Sequence, residues 1–288
     1  MKTTMPTRRL GDAQVGAIGL GAMQLTIDRR PREAQALRTV HAALDAGVTL
    51  IDTADAYTPS DRSMGMNEEL VAKALAAYPG STDDIVVATK GGHTRDGEDW
   101  GLNGRPEYLR AACEASLRRL GASAIGLYQH HRPDPEVPYA EVMGGLRELY
   151  EAGLIQRAGI SNANPDQIRL AAAILGDALV SVQNEFSPSF RSSEPEIAVC
   201  EELGLAFLPW GPLGGMREAK ALGERYTAFA DIASAHQVSP QQVCLAWELA
   251  LSPAMIPIPG ASRPESILDC VAAVEVRLSD DELAALSE

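Results

Sequence analysis

Eight short apolar or β-branched runs recur along the chain, separated by longer segments of mixed polarity. The runs are VGAIGLGAM (15–23), TLIDTA (49–54), DIVVATK (84–90), IGLYQHH (125–131), LIQRAGISN (154–162), LVSVQNEF (179–186), GLAFLPW (204–210) and MIPIPG (255–260). Nearly continuous apolarity, rather than strict alternation, is typical of strands buried on both faces of a parallel sheet.

The segments between these runs have helical periodicity. In ALRTVHAALDAG, Leu37, Val40 and Leu44 fall on one face, and Gly47 is a typical stop. The segments 108–121 and 139–153 repeat this pattern and also end in glycine. We interpret their apolar stripes as core packing.

Eight strand–helix units predict an α/β fold, a (β/α)8 TIM barrel, for which a doubly wound sheet is the alternative. No linker-like or low-complexity tract interrupts the 288 residues, so we expect one domain, 1–288. The remaining residues predict a short turn-rich N-terminal lead, TRRLGDAQV (7–15), and a C-terminal helix over SDDELAALSE (279–288), capped by Ser279.

Composition and net charge indicate which binding partners and which cellular compartment to expect. A net charge of −14 argues against a nucleic acid or an anionic membrane as partner. The first residues lack a signal-peptide pattern and no apolar run is long enough to span a bilayer, so we expect a soluble, cytoplasmic protein. The four cysteines are far apart and form no CxxC pair, which favours free thiols. The oligomeric state stays open.

Several motifs fail to carry a function. Gly19-Leu20-Gly21 resembles a dinucleotide fingerprint but lacks the third glycine and the immediate helix. The segment GISNA (159–163) lacks the closing glycine of a nucleophile elbow. No zinc-type spacing of cysteine and histidine occurs, so we predict that no metal is required.

Polar residues instead cluster where the runs end, which in a barrel is the rim that carries the active site. Each has an ordinary structural explanation by itself, but together they can move a proton. A tyrosine hydroxyl has an ordinary pKa near 10, which a nearby ammonium lowers, and a carboxylate keeps a semi-buried ammonium charged. Asp52, Lys90 and Tyr57 can form this chain, and a neutral histidine beside them can bind a carbonyl oxygen.

At these residues the chain resembles the aldo-keto reductase superfamily over nearly its whole length. The matching motifs are LGAM (20–23), DTADAY (52–57), NEELV (67–71), ATK (88–90), SLRRLG (116–121), LYQHHRPDP (127–135), GISN (159–162), QNEF (183–186) and IPG (258–260). The resemblance implies an oxidoreductase on a (β/α)8 barrel that reduces an aldehyde or ketone with NADPH. It also implies a catalytic tetrad of Asp52, Tyr57, Lys90 and His131, with Tyr57 as general acid.

The resemblance further implies a cofactor site. Ser161, Asn162 and Gln183 match residues that hold the nicotinamide carboxamide, and Trp210 matches an aromatic residue that stacks on the ring. The further candidates are three residues expected at the pyrophosphate, Gly211, Leu213 and Gly214, and three expected at the adenosine end, Gly260, Ser262 and Arg263.

The adenosine-binding segment departs from the family pattern. Gly260 stands where many relatives carry lysine, Ser266 where they carry arginine, and Asp269-Cys270 where they carry Glu-Asn. Ser262 and Arg263 remain as candidates for a 2′-phosphate, so NADPH is favoured over NADH. The loops after Tyr57 and after Lys90 border the substrate site and suit a small polar carbonyl.

The histidine doublet needs a choice, because neighbouring side chains of a strand point to opposite faces. The resemblance assigns His131 to the catalytic position and leaves His130 as a packed, hydrogen-bonded histidine against the helices. Two other functions stay open. One is a cofactor-binding regulatory module with little turnover, resembling channel β subunits, and the other is an isomerase or lyase that uses Lys90 as a Schiff-base nucleophile.

Overall fold

The computed structural model describes residues 5–27, 32–215 and 218–287. Its strands are β1 (Thr7–Leu10), β2 (Ala13–Gly16), β3 (Leu20–Gly21), β4 (Leu50–Asp52), β5 (Val86–Gly91), β6 (His93–Asp96), β7 (Asp99–Leu102), β8 (Leu127–His130), β9 (Ala158–Ser161), β10 (Leu179–Gln183) and β11 (Ala206–Phe207). Seven of them form one parallel sheet in the order β11-β10-β9-β8-β5-β4-β3. These seven correspond to the first seven apolar runs.

The eighth run closes the sheet into a barrel through isolated bridges rather than a continuous strand. Phe207 pairs with Met255 on one side, and Gly21 pairs with Gly260 on the other, both in parallel. The carbonyls of Pro257 and Pro259 accept bonds from the amides of residues 19 and 21 at 2.9 and 3.0 Å. Because proline has no N–H to donate, the ladder here is incomplete. The predicted (β/α)8 barrel is confirmed.

The helices lie between the strands along the chain and cover the outside of the sheet. They are α1 (Glu33–Asp45), α2 (Met66–Ala76), α3 (Pro106–Leu120), α4 (Tyr139–Glu151), α5 (Pro165–Leu175), α6 (Glu194–Leu203), α7 (Leu222–Arg225), α8 (Thr227–His236), α9 (Pro240–Leu251), α10 (Pro264–Ala272) and α11 (Asp280–Ser287). The three helices predicted from periodicity are α1, α3 and α4. At α11, Ser279 Oγ accepts a bond from the Glu282 amide, as the predicted cap requires.

Side-chain alternation sorts the sheet residues into two apolar clusters. An inner cluster within the barrel contains Leu50, Ala88 and Leu127, whereas the neighbouring Ile51 and Tyr128 pack in the outer cluster with the helices. Because alternate residues share a face, Asp52, Lys90 and Gln129 continue the inner rows toward the carboxyl ends of β4, β5 and β8. The barrel therefore brings these polar side chains together above its apolar interior.

Two hairpins are added to the barrel. In the N-terminal lead, β1 and β2 pair in antiparallel fashion, and Leu10 and Val15 join the inner cluster. The lead is therefore an ordered hairpin with part of its surface in the barrel core. The second hairpin, β6–β7, follows β5 directly and spans 93–102.

The four cysteines are buried and free. Within the three described ranges, no helix has both the length and the apolar character needed to span a membrane.

Candidate functional site

A buried lysine links two of the predicted residues at the rim. Lys90 Nζ donates to Asp52 Oδ2 at 2.6 Å, to the Thr53 carbonyl at 2.9 Å and to the Tyr57 hydroxyl at 3.1 Å. The Lys90 side chain is fully buried, and its Nζ also lies 4.8 Å from the centre of the Tyr57 ring. The three N–H donors of the ammonium therefore all have partners.

The charges in this chain oppose the effects of burial. Burial alone would lower the pKa of Lys90, but Asp52 and the Tyr57 hydroxyl raise it above its ordinary value. Burial raises the pKa of Tyr57, and Lys90 partly offsets that rise. At neutral pH the lysine is therefore charged and the tyrosine is protonated, which is the state a proton donor needs.

Two glutamines complete the bonding of Asp52. Its second oxygen, Oδ1, accepts from Gln183 Nε2 at 2.8 Å and from Gln129 Nε2 at 3.1 Å. The carboxylate is thus held by three nitrogen donors from three other strands, which fixes its orientation toward Lys90. Gln129 was not among the predicted site residues, although it has the same strand parity as His131 and could have been found by that rule.

His131 lies beside the tyrosine. Its backbone amide donates to the Gly91 carbonyl at 2.9 Å, and its ring is 5.6 Å from the Tyr57 ring, at an edge-to-face angle of 80°. Burial and the charge of Lys90 hold the pKa of His131 well below its ordinary value. The imidazole is therefore neutral at pH 7, as predicted for a group that donates a hydrogen bond to a carbonyl oxygen.

His130 lies on the opposite face of β8 and is fully buried toward the helices, with Tyr139 of α4 at 6.0 Å between ring centres. The predicted side of the strand agrees with the structure, but the prediction of a hydrogen-bonded ring is wrong. Among the described residues neither Nδ1 nor Nε2 has a hydrogen-bond partner, and neither does the hydroxyl of the nearby Tyr139. Burial lowers the pKa of His130 to about 4.

A cleft of about 520 Å³ opens at this rim. Asp52, Tyr57 and His131 line it, while Lys90 lies behind them. Seven of the ten predicted cofactor residues also line it: Ser161, Asn162, Gln183, Trp210, Gly211, Leu213 and Gly260. Gly214, Ser262 and Arg263 lie outside its wall. The volume is in the range of small-molecule sites.

Three polar side chains form one corner of the cleft. Ser161 Oγ donates to the Gln183 carbonyl at 2.7 Å, and Asn162 Nδ2 donates to Ser161 Oγ and to the His131 carbonyl, both at 3.0 Å. Asn162 has a left-handed φ of 58°, an uncommon conformation outside glycine. Strict alternation along β10 would put Val180 and Val182 on the same face, but Val180 belongs to the inner cluster and Val182 to the outer one. A register shift between Leu179 and Ser181 reverses the alternation, and Gln183 therefore points into the cleft.

The segment after Trp210 turns along the cleft. Gly211 and Gly214 have φ values of 64° and 81°, which favour glycine. A Cβ on Gly211 would meet no atom closer than 3.8 Å, so this glycine leaves open space beside the chain. A Cβ on Gly260, by contrast, would lie 2.8 Å from Gln24 Nε2, so the space beside this glycine is filled by the Gln24 side chain.

The remaining two predicted residues precede α10. The Ser262 carbonyl accepts a bond from Gln35 Nε2 at 2.8 Å, and Arg263 is the N-terminal flanking residue of the helix. The Arg263 side chain is exposed and forms no ion pair with the residues that the structure describes. Its guanidinium is thus available at a helix N-terminus, where anions are favoured.

The β6–β7 hairpin and the residue after His131 supply walls that the sequence did not single out as site residues. His93, Trp100 and Arg132 all line the cleft. Arg132 donates to Asn162 Oδ1 at 3.2 Å. The hairpin strands are largely polar, so they lack the hydrophobic alternation that would have predicted them.

Comparisons with known proteins agree with this geometry. A family model described as the aldo/keto reductase family matches residues 17–288. An uncharacterized oxidoreductase of Schizosaccharomyces pombe is 35% identical and aligns over 98% of this chain and 89% of its own. The aldo-keto reductase yakc of the same yeast, whose name includes NADP(+), is 33% identical, with 99% and 91% covered.

Solved structures give the same result. The glycerol dehydrogenase of Gluconobacter oxydans superposes with a TM-score of 0.83 at 28% identity, covering 98% of this chain and 94% of that one. A thermostable aldo-keto reductase bound to the inhibitor epalrestat superposes with a TM-score of 0.82 at 26% identity, covering 98% of both chains. With a family model that spans most of its length and relatives above 30% identity, the chain belongs to the aldo/keto reductase family.

Proposed function

We propose that the protein reduces an aldehyde or ketone to the alcohol with NADPH, and that Tyr57 donates the proton. The single observation that carries this proposal is the bonded chain Asp52–Lys90–Tyr57 at the wall of the cleft. The Tyr57 hydroxyl lines the cleft and the Lys90 ammonium lies directly behind it, which supports Tyr57 as the proton donor.

The proton transfer follows from this arrangement. As the carbonyl oxygen gains negative charge, the Tyr57 hydroxyl passes its proton to it and becomes a phenolate. Lys90, at 3.1 Å, stabilises that phenolate, and Asp52 with its glutamine donors keeps the lysine charged and in place. Such electrostatic preorganisation costs no reorganisation during the reaction. His131, with its neutral ring, orients the oxygen by a hydrogen bond.

The residues at the rim fit a nicotinamide cofactor. Gln183 uses its Nε2 for Asp52, and its Oε1 has no partner among the described residues, so this oxygen can accept from a carboxamide NH₂. Ser161 and Asn162 form the adjoining corner, and Trp210 offers an aromatic wall. When bound, NADPH supplies the hydride.

Gly211 leaves open space beside the backbone for the pyrophosphate, and we assign Leu213 to its apolar border. Gly214, where a Cβ would lie 3.2 Å from Glu218, supplies the left-handed turn that follows. Arg263 with Ser262, at the start of α10, provides a fork of donors for a 2′-phosphate. The name of the yeast relative supports NADP as the cofactor class. Gly260 fits beside Gln24, so its contribution is to allow close packing at the cleft wall.

Two other functions are less well supported by the site. A Schiff-base nucleophile must be a neutral amine, whereas the ion pair with Asp52 raises the pKa of Lys90. A regulatory module with little turnover would not need a complete chain of proton donor, ammonium and carboxylate. The substrate in our proposal is a small carbonyl compound, with no nucleic acid or membrane partner.

A substrate panel tests the proposal. We expect the purified protein to oxidise NADPH in the presence of some aldehydes or ketones, more efficiently than NADH. Tight NADPH binding without oxidation by any carbonyl would favour the regulatory module. Borohydride trapping of a carbonyl on Lys90 would favour the Schiff-base enzyme.

A further inference from the structure

A second histidine of the cleft, His93, is not part of the predicted tetrad. It is the first residue of β6, and its ring centre lies 4.3 Å from that of His131, edge to face. On another side it packs edge to face against Trp100, at 5.3 Å. Since His131 in turn packs against Tyr57, His93 lies one side chain away from the proposed proton donor.

The hairpin fixes the tautomer of this ring. His93 Nδ1 lies 3.1 Å from the Gly101 carbonyl on the paired strand β7. A carbonyl only accepts, so Nδ1 carries the hydrogen. Burial lowers the pKa of His93, which keeps the ring neutral at pH 7. Nε2 is then an acceptor. It has no partner among the described residues, and unlike the unpartnered atoms of His130 and His131 it is not fully buried.

The rest of the hairpin packs around this ring. Arg95 covers one face of Trp100 with its guanidinium 4.1 Å from the ring centre, and Trp100 supports the His93 ring. Trp100 itself remains 43% exposed at the mouth of the cleft. The cleft wall beside His131 is therefore aromatic and contains one acceptor nitrogen, His93 Nε2.

We infer that His93 is a specificity-determining residue whose Nε2 accepts a hydrogen bond from a hydroxyl group of the substrate, one or two carbons from the carbonyl. The preferred substrates are then hydroxylated carbonyl compounds rather than their deoxy analogues. A site that provides an acceptor for a hydroxyl group rejects an analogue without it, since the acceptor loses water and gains no partner. This inference rests on the proposed carbonyl reduction and names its substrate class.

The test compares kcat/KM for matched pairs, glycolaldehyde with acetaldehyde and glyceraldehyde with propionaldehyde, in the wild-type protein and in His93→Phe. Phenylalanine keeps an aromatic ring against His131 and removes the acceptor. Comparing variants by the ratio within each pair cancels the intrinsic reactivity of the aldehydes. We expect the hydroxylated-to-deoxy ratio to fall about tenfold, the value of one ordinary hydrogen bond.

Asp99→Asn is the matched control, because it changes an exposed residue of the same hairpin outside the cleft wall, and its ratio should stay near that of the wild type. An unchanged ratio in His93→Phe, with reduction of both aldehydes retained, overturns the role of His93 but not the reductase. A wild-type protein that oxidises NADPH with no carbonyl at all overturns both. If His93→Phe loses NADPH binding through misfolding, His93→Met, which also lacks the acceptor, takes its place.

Discussion

Protonation of His130 should control much of the acid sensitivity of the fold. The ring is fully buried, neither nitrogen has a partner in the part of the chain that the structure describes, and burial lowers its pKa to about 4 from an ordinary value of 6.5. The folded state therefore binds this proton less readily than the unfolded state. Stability from the neutral ring is fully present above pH 6.5 and is lost as pH falls toward 4.

The magnitude follows from that difference. One pKa unit corresponds to about 1.4 kcal/mol, so the complete loss is about 3 kcal/mol, of which about 2 kcal/mol should be lost by pH 5. We expect His130→Leu to equal or exceed the wild type in stability at pH 7, because it removes two unpartnered polar atoms. Its advantage in unfolding free energy should then grow by about 2 kcal/mol between pH 7 and pH 5.

Urea denaturation at pH 7, 6 and 5 measures this advantage. His130→Asn is the matched control, since it cannot titrate but remains polar. It should share the pH independence of the leucine variant without its stability at pH 7. If the wild type and His130→Leu lose stability in parallel from pH 7 to pH 5, the ring has a partner or water contact, and the reasoning is refuted.

Three further predictions concern other buried or exposed charges. Glu248 on α9 is fully buried, and both carboxyl oxygens lack partners among the described residues. Burial raises its pKa well above the ordinary value, so stability should fall as pH rises. Glu248→Gln should therefore gain stability over the wild type as the pH rises from 5 to 8 in denaturation experiments; a constant difference would contradict this. Lys90→Met should lower kcat/KM by about 10²- to 10⁴-fold in steady-state assays while NADPH still binds. Loss of NADPH binding instead would assign Lys90 to the cofactor site. Arg263→Ala should weaken NADPH binding about tenfold in fluorescence titrations and leave NADH binding unchanged; equal effects on both cofactors would exclude a 2′-phosphate contact.

Much of the rim was predictable from the sequence because strand parity and strand ends are local properties. The apolar runs of β4 and β5 place Asp52 and Lys90 at carboxyl ends of neighbouring strands, and the structure joins them at 2.6 Å. The same parity separates His130 from His131 on β8. It also places Gln129 on the same face as His131, although a glutamine at a strand end carries no catalytic signature of its own.

Other features depend on contacts that no local pattern encodes. The register shift in β10 turns Gln183 inward and is set by pairing with β9. Strand parity also does not reveal that the ring nitrogens of His130 have no partner among the described residues. The loop after Lys90 was expected to border the substrate site, but the β6–β7 hairpin within it has no apolar alternation, so its strands and the contact of His93 with His131 emerged only from the fold.

The most direct test of the central claim is the Tyr57→Phe variant, in which only the proposed proton donor is removed. With a carbonyl that the wild type reduces, the rate of NADPH oxidation at saturating cofactor and substrate should fall by about 10²- to 10⁴-fold. The dissociation constant for NADPH, measured on the same preparation, should stay near the wild-type value. An oxidation rate close to that of the wild type would contradict the role of Tyr57 and, with it, the proposed mechanism.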